Sequence, residues 1–409
     1  MNILYLGTVC AHDKYENMLK GCKVKPSVAS IVFETAVIRG FSENKANVEI
    51  LSYPMIPIFP KSRLLHFGGN GEMYGYRCHY LRTFNLPVLK QLTRRMSACK
   101  EMKKWAKNNV GEGVILTYSI PPFLAKDILR YSEKYQLKAV AIIPDLLKNM
   151  YINHKSSFAV NALRNLYLHK SLALQSEYDG YVYLTEAMRE EVADGKPYMV
   201  MEGILDASAS SIQIETPKFD SRAIMYAGRI HEKFGVLNLV DAFEKIEDDS
   251  VELWLFGEGS AVEEIQNRAK NDKRIKYFGR VGREEVLSYE KRASILVNLR
   301  STKDPFTKYS FPSKTIEYMA SGTPLLTTKL MGIPSEYFDY SFSIEDNTVE
   351  EIKNALVDIL QKSDEDLKNK GQEAQRFVID NKNAKTQASR IIEFLRKIRG
   401  EEDEGNSKK

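Results

Sequence analysis

Ser313, Lys314 and Glu317 lie within the run Tyr309-Ser310-Phe311-Pro312-Ser313-Lys314-Thr315-Ile316-Glu317-Tyr318-Met319-Ala320-Ser321-Gly322-Thr323-Pro324. On a helix their spacing stacks a hydroxyl, an ammonium and a carboxylate on one face. The punctuation predicts such a helix. Pro312 suits its first position, Ser310 offers a capping hydroxyl, Gly322 ends it and Pro324 prevents its resumption. Ile316, Met319 and Ala320 repeat at helical spacing and face a core. An anion on that helix start would meet unpaired N–H groups, the Ser313 hydroxyl and the Lys314 ammonium. Glu317, one turn deeper, could accept hydrogen bonds from the vicinal hydroxyls of a sugar. A phosphate and a ribose together mean a nucleotide. The same spacing also fits an amphipathic helix whose Ser/Lys/Glu face is simply solvated.

This run resembles the C-terminal signature of retaining GT-B glycosyltransferases of the family-four (group 1) type. In that family a Glu before an Ala-x-Gly-x-Pro helix end holds the donor ribose, and Glu317 occupies that position. A second Glu, eight residues earlier and in contact with the donor sugar, is replaced here by Tyr309. The departure matches a Phe-Pro-Ser-Lys variant associated with bacterial capsule and surface-glycan enzymes. Further upstream, Gly228-Arg229 and Lys233 resemble the family's Gly-Arg…Lys-Gly pattern, with Phe234 intervening before Gly235. The resemblance implies that Arg229 and Lys233 clamp the donor diphosphate, where fixed cations act most strongly as the leaving-group charge develops. Surface ion pairs are the plainer account of the two cations. Gly228, Tyr309, Ser310, Ser313 and Lys314 would complete the donor site, with the base beside Gly279–Gly282, at Val281 and Gly282.

The implied fold is α/β, of GT-B type: two Rossmann-like domains facing across a cleft, with a C-terminal helix crossing back to the first. The implied reaction moves a sugar from a nucleotide-sugar donor to a hydroxyl of a glycan or lipid-linked acceptor, with retention. The departing phosphate could itself take the acceptor proton, so neither a protein nucleophile, a metal nor another cofactor is needed. Two alternatives stay open: a nucleotide-sugar epimerase on the same scaffold, and a non-catalytic GT-B partner subunit.

The rest of the chain must position these groups. Its 409 residues suggest two domains of about 200. Alternating strands and helices predict doubly wound, mainly parallel sheets. In the first half the strands are Ile3–Leu6, Val48–Ser52, Val114–Thr117, Ala139–Ile143 and Gly180–Leu184, with a last one over Met199–Ile204. Helices are expected over Val28–Arg39, Pro122–Tyr131 and Asn161–Ser176, and a long loop through His12 and Asp13 to Lys25–Ser27. In the second half, strands over Ile224–Ala227, Val251–Phe256, Ile275–Phe278 and Ile295–Leu299 alternate with helices from Val236 and Ala261. The expected divisions are 1–205 for the acceptor domain, 206–219 for a linker, 220–385 for the donor domain, 386–399 for the crossover helix and 400–409 for a disordered tail. No Gly-x-Gly-x-x-Gly follows the first strand, which weighs against a dehydrogenase.

Ligands of such sheets sit beyond the carboxyl ends of the strands. That makes Ser27, Asp145 and Glu202 acceptor-side candidates, although Asp145 also reads as an ordinary turn former. A basic helix over Leu89–Asn108, with Pro54–Arg63 upstream, fits either an anionic membrane or a solvated, packed helix. The net charge of +5 gives no reason to expect nucleic acid. Four scattered cysteines form no Cys-x-x-Cys pair, and the one Asp-x-Asp (Asp364, Asp366) opens a surface helix, so no metal site is expected. With no signal-peptide pattern at its start, the chain is expected in the cytoplasm, at most on the inner face of the membrane.

Overall fold

Apolar side chains fill both faces of the central strands, as parallel strands covered by helices require. The computed structural model describes residues 1–24, 29–150, 165, 168–169, 171–205 and 222–401. Ser27, the 206–219 segment and most of the 400–409 tail lie outside the described residues, as does much of the expected 161–176 helix. The chain divides into two compact units, Met1–Ile204 with Ala384–Lys409, and Leu205–Asn383.

The first unit carries β1 (Asn2–Gly7), β2 (Asn47–Ser52), β3 (His66–Met73), β4 (Tyr76–Phe84), β5 (Gly113–Tyr118), β6 (Lys138–Ile143), β7 (Gly180–Tyr183) and β8 (Tyr198–Val200). Their order is β3-β4-β2-β1-β5-β6-β7-β8, parallel except for the β3–β4 hairpin. The helix Ala384–Arg399 belongs to this unit and buries Ala388, Ile391 and Leu395 in its core. The second unit carries β9 (Arg222–Ala227), β10 (Val251–Phe256), β11 (Ile275–Gly279), β12 (Ile295–Asn298), β13 (Leu325–Thr328) and β14 (Phe342–Ile344). Its order is β11-β10-β9-β12-β13-β14, all parallel. Both sheets are therefore of the expected doubly wound kind.

Three features of the first unit differ from expectation. The segment after β1 is helical over His12–Lys20, where Tyr15 and Met18 are buried. The β3–β4 hairpin turns through Tyr74 and Gly75, both at positive φ, and its Gly-rich strand lacks the apolar run that marks a strand. The last strand is short, ending at Val200.

The Leu89–Asn108 helix forms over the expected residues, but its faces are not those the composition suggests. Lys90 and Arg94 are buried, donating to the backbone carbonyls of Ile56 and Pro54, while Leu92 and Met96 are exposed. Burial lowers the Lys90 ammonium to about 7. These two cations pin the Pro54–Arg63 segment and are not available to lipid headgroups.

At the end of β1 the buried Glu34 carboxylate accepts the Thr8 N–H (2.8 Å), the Thr8 hydroxyl and the Tyr5 phenol (3.0 Å). A Cβ at residue 7 would lie 1.8 Å from Glu34 Oε2, so only Gly7 admits this carboxylate. Burial, outweighing those hydrogen bonds, raises the Glu34 carboxyl to about 7. An acid with a raised folded-state value contributes stability that is fully present below its unfolded value. That contribution is lost as pH rises through the folded value. The stability gap between wild type and Glu34→Gln should thus shift by about 3 kcal/mol between pH ~4 and ~8, against wild type as pH rises. Urea denaturation of both proteins across that range checks this; a gap independent of pH would contradict it.

Candidate active site

In the second unit β9 runs into Gly228 and Arg229, and the helix Lys314–Ala320 packs beside this strand end. Tyr318 fixes the pairing: its phenol accepts the Ala227 N–H (2.8 Å) and donates to the Ala227 carbonyl (3.0 Å). Asn298, the last residue of β12, donates to Thr315 Oγ1 at 3.3 Å and ties the same helix to the next strand. One turn before Tyr318, Lys314 is thereby carried to the wall of a cavity of about 220 Å³. Gly228, Arg229, Phe234 and Arg300 share that wall.

Arg300 is the site residue that the sequence reading missed. Its guanidinium lies 5.2 Å from the centre of the Phe234 ring, and burial pushes its pKa down. It has no carboxylate partner among the described residues. A cation placed in that way, on a cavity wall with two others, suits an anion. Its position was readable in principle, since it lies two residues beyond the buried strand β12.

Glu317 pairs with Lys314 and lies 3.9 Å from Arg283. Arg283 opens the helix Arg283–Arg292 directly after Val281 and Gly282, so the expected base loop and the expected ribose carboxylate are neighbours. Behind them lies Glu290, fully buried on the same helix, with Lys314 Nζ at 3.7 Å. Burial first, then the charge of Glu317, raises the Glu290 carboxyl well above the carboxylate range. Neither Glu290 nor its helix was expected. The signal was a carboxylate three residues after Leu287, on the face that an amphipathic helix buries.

Other candidates do not line the cavity themselves. Lys233 lies on the short turn Glu232–Phe234, exposed, with Nζ 5.1 Å and 5.5 Å from the Phe234 and Phe306 ring centres. His231 accepts the Lys233 N–H, which gives that histidine a capping role. Gly235 closes the turn at φ 76°, where a Cβ would lie 1.7 Å from the Leu299 carbonyl oxygen. Tyr309 and Ser310 end the turn Pro305–Tyr309, under which Gly332 packs closely against the carbonyls of Thr307 and Ser310. Ser313 is exposed. In the first unit, Asp145 accepts the Leu146 N–H as a turn former would, and Glu202 is buried.

The helix itself is shorter than its punctuation suggests. It spans seven residues from Lys314, with Ser313 at the N-cap, Pro312 one residue outside and no side-chain cap from Ser310. The cavity's positive character therefore comes from Arg229, Arg300 and Lys314 rather than from a helix dipole. Asp364 pairs with Arg222 at 3.1 Å, and the Asp366 N–H is capped by Ser363.

Residues 221–362 match the family model described as Glycosyl transferases group 1. The second unit carries that family's domain. No curated protein matches this sequence. Among solved structures, sucrose-phosphate synthase from Thermosynechococcus elongatus is similar, with a TM-score of 0.62 and 15% identity over 98% of this chain and 100% of the other. Anabaena HepE in complex with UDP and glucose gives 0.60 and 12%, covering 97% and 100%. An E. coli trehalose-6-phosphate protein bound with UDP-2-fluoro glucose gives 0.62 and 11%, covering 96% and 99%. At such identities the likeness speaks for the fold: the chain has the two-sheet GT-B architecture, and the group 1 domain holds the cationic cavity.

Proposed function

We propose that the protein is a retaining glycosyltransferase that takes a sugar from a nucleotide-sugar donor and passes it to a hydroxyl of a glycan or lipid-linked acceptor in cell-surface polysaccharide synthesis. The observation that carries this reading is the convergence of Arg229, Arg300 and Lys314 on one cavity at the end of β9. The UDP and UDP-sugar ligands of the structural neighbours agree with it. The donor diphosphate would sit against the three cations and Glu317 would take the ribose hydroxyls, with the base beside Val281 and Gly282. As the sugar–phosphate bond breaks, negative charge builds on the leaving phosphate, where preorganised cations stabilise it most. That phosphate can accept the acceptor's proton, so these residues need only bind, align and neutralise. Neither a metal nor a protein nucleophile is required.

Incubation with a panel of UDP-, GDP- and ADP-sugars, with and without glycan and lipid-phosphate acceptors, tests this. Transfer that depends on acceptor and retains anomeric configuration is expected. Conversion of donor without acceptor would instead indicate an epimerase, and binding without turnover a non-catalytic subunit.

The first unit's surface favours an acceptor held at a membrane. Met55, Ile58, Phe59, Val88, Leu92 and Met96 are exposed, and the segment and helix that bear them are tied together through Lys90 and Arg94. Solvated Lys100, Lys103 and Lys107 follow on the same helix. Among the described residues no helix is long and apolar enough to cross a membrane. Such a surface suits the interface of an anionic bilayer. Phe59→Glu with Leu92→Glu should weaken sedimentation with phosphatidylglycerol vesicles roughly tenfold or more. Equal binding by variant and wild type would remove the membrane from this reading.

A further inference from the structure

Glu290 takes no part in the transfer chemistry above, yet it is a buried carboxylate within ion-pairing reach of Lys314 on the cationic wall. Its side chain has no exposed surface, and neither carboxylate oxygen has a hydrogen-bond partner among the described residues. The Lys314 ammonium, 3.7 Å away, is within ion-pairing reach but beyond hydrogen-bond reach. That ammonium is also bonded to Glu317 and belongs to the cavity wall. We propose that Glu290 is a positioning residue that holds Lys314 in the empty site, and that a bound nucleoside diphosphate draws Lys314 away while Glu290 takes up one proton from solvent.

The proposal rests on the cavity being the donor-diphosphate site. Lys314 and Glu317 are the charged groups facing Glu290 from the neighbouring helix, with the Tyr318 phenol beside them. Arg283, on Glu290's own helix, is turned toward Glu317. Burial and Glu317 both favour the protonated form of Glu290, and Lys314 is the group that opposes them. Turning Lys314 toward phosphate removes that opposition, and a buried carboxylate without its cation is costly enough to protonate instead. The direction of the linkage follows. At low pH Glu290 already holds its proton and uptake is small. As pH rises the empty site loses that proton, and diphosphate binding must restore it.

Isothermal titration with UDP, GDP and ADP, in two buffers of different ionisation heat, counts the protons exchanged. For whichever nucleotide binds, wild type should take up no more protons than Glu290→Gln at pH ~6, where the terminal phosphate titrates in both, and about one more at pH ~9. There the nucleotide's own phosphates are fully ionised and contribute nothing. Over the upper part of that range wild-type affinity should fall by up to roughly tenfold per pH unit. At pH ~9 Glu290→Gln should bind with no uptake, and its affinity should stay flat over the upper part of that range. Binding by wild type without uptake at pH ~9, or uptake there that persists in Glu290→Gln, would overturn the proposal. The wild-type count stands alone if that variant does not fold. If none of the three nucleotides binds wild type, the donor-site reading itself has failed, a result distinct from binding without proton uptake.

Discussion

Arg300→Ala should lower turnover of the productive donor by roughly 10²–10³-fold while leaving thermal stability undiminished. The two parts of that expectation share one cause. Arg300 is largely buried against Phe234 without a carboxylate, so in the empty protein its charge is held at a desolvation cost. Removing it relieves that cost. In the reacting complex the same cation faces a phosphate whose charge is growing, and its interaction is strongest in the transition state. The loss therefore falls on kcat rather than on KM alone. Arg300→Lys should recover only part of the rate, because an ammonium lacks the planar fork that grips two phosphate oxygens. Steady-state kinetics with thermal denaturation of the three proteins decides this. Unchanged kcat in Arg300→Ala would exclude the residue from the site.

Glu317→Ala should act differently, raising the donor KM or Kd by about 10–10²-fold with a smaller change in kcat. A hydrogen bond from a neutral hydroxyl to a carboxylate contributes about 1.5–3 kcal/mol, and a ribose is held alike before and during transfer. The substitution also removes the hydrogen-bonded partner of Lys314, leaving Glu290 as its remaining carboxylate. Part of the loss should therefore grow with pH, as Glu290 ionises and retains the ammonium. A donor KM unaffected by Glu317→Ala would place the ribose elsewhere.

Both sheets were legible because their strands are short apolar runs separated by Gly, Pro and polar segments, a pattern that parallel strands cannot avoid. The hairpin of β3 and β4 was not, since Gly68, Gly69 and Gly71 leave β3 without an apolar face. For the Leu89–Asn108 helix the extent was legible but the faces were not. Lys90 and Arg94 look like solvated cations until the carbonyls of the Pro54–Arg63 segment are brought to them, and that is a tertiary fact. At the site, Gly228, Arg229 and Lys314 were readable as residues next to strand ends or helix starts, and they share one wall. Lys233 has the same sequence credentials and does not line the cavity, but its ammonium rests over the rings of Phe234, which does, and of Phe306. Arg300 and Glu290 escaped because their meaning depends on what they lack. Neither a cation without a carboxylate nor a carboxylate without a hydrogen bond can be recognised before the neighbours are known.

The most direct measurement is an equilibrium titration of the protein with UDP, GDP and ADP, each set against its nucleoside. A diphosphate held by Arg229, Arg300 and Lys314 requires one of the three to bind at least ~10²-fold more tightly than its nucleoside. The gap should close in the variant with all three cations replaced by alanine. Equal affinity for diphosphate and nucleoside, or a gap that survives in that variant, would contradict sugar transfer from this cavity.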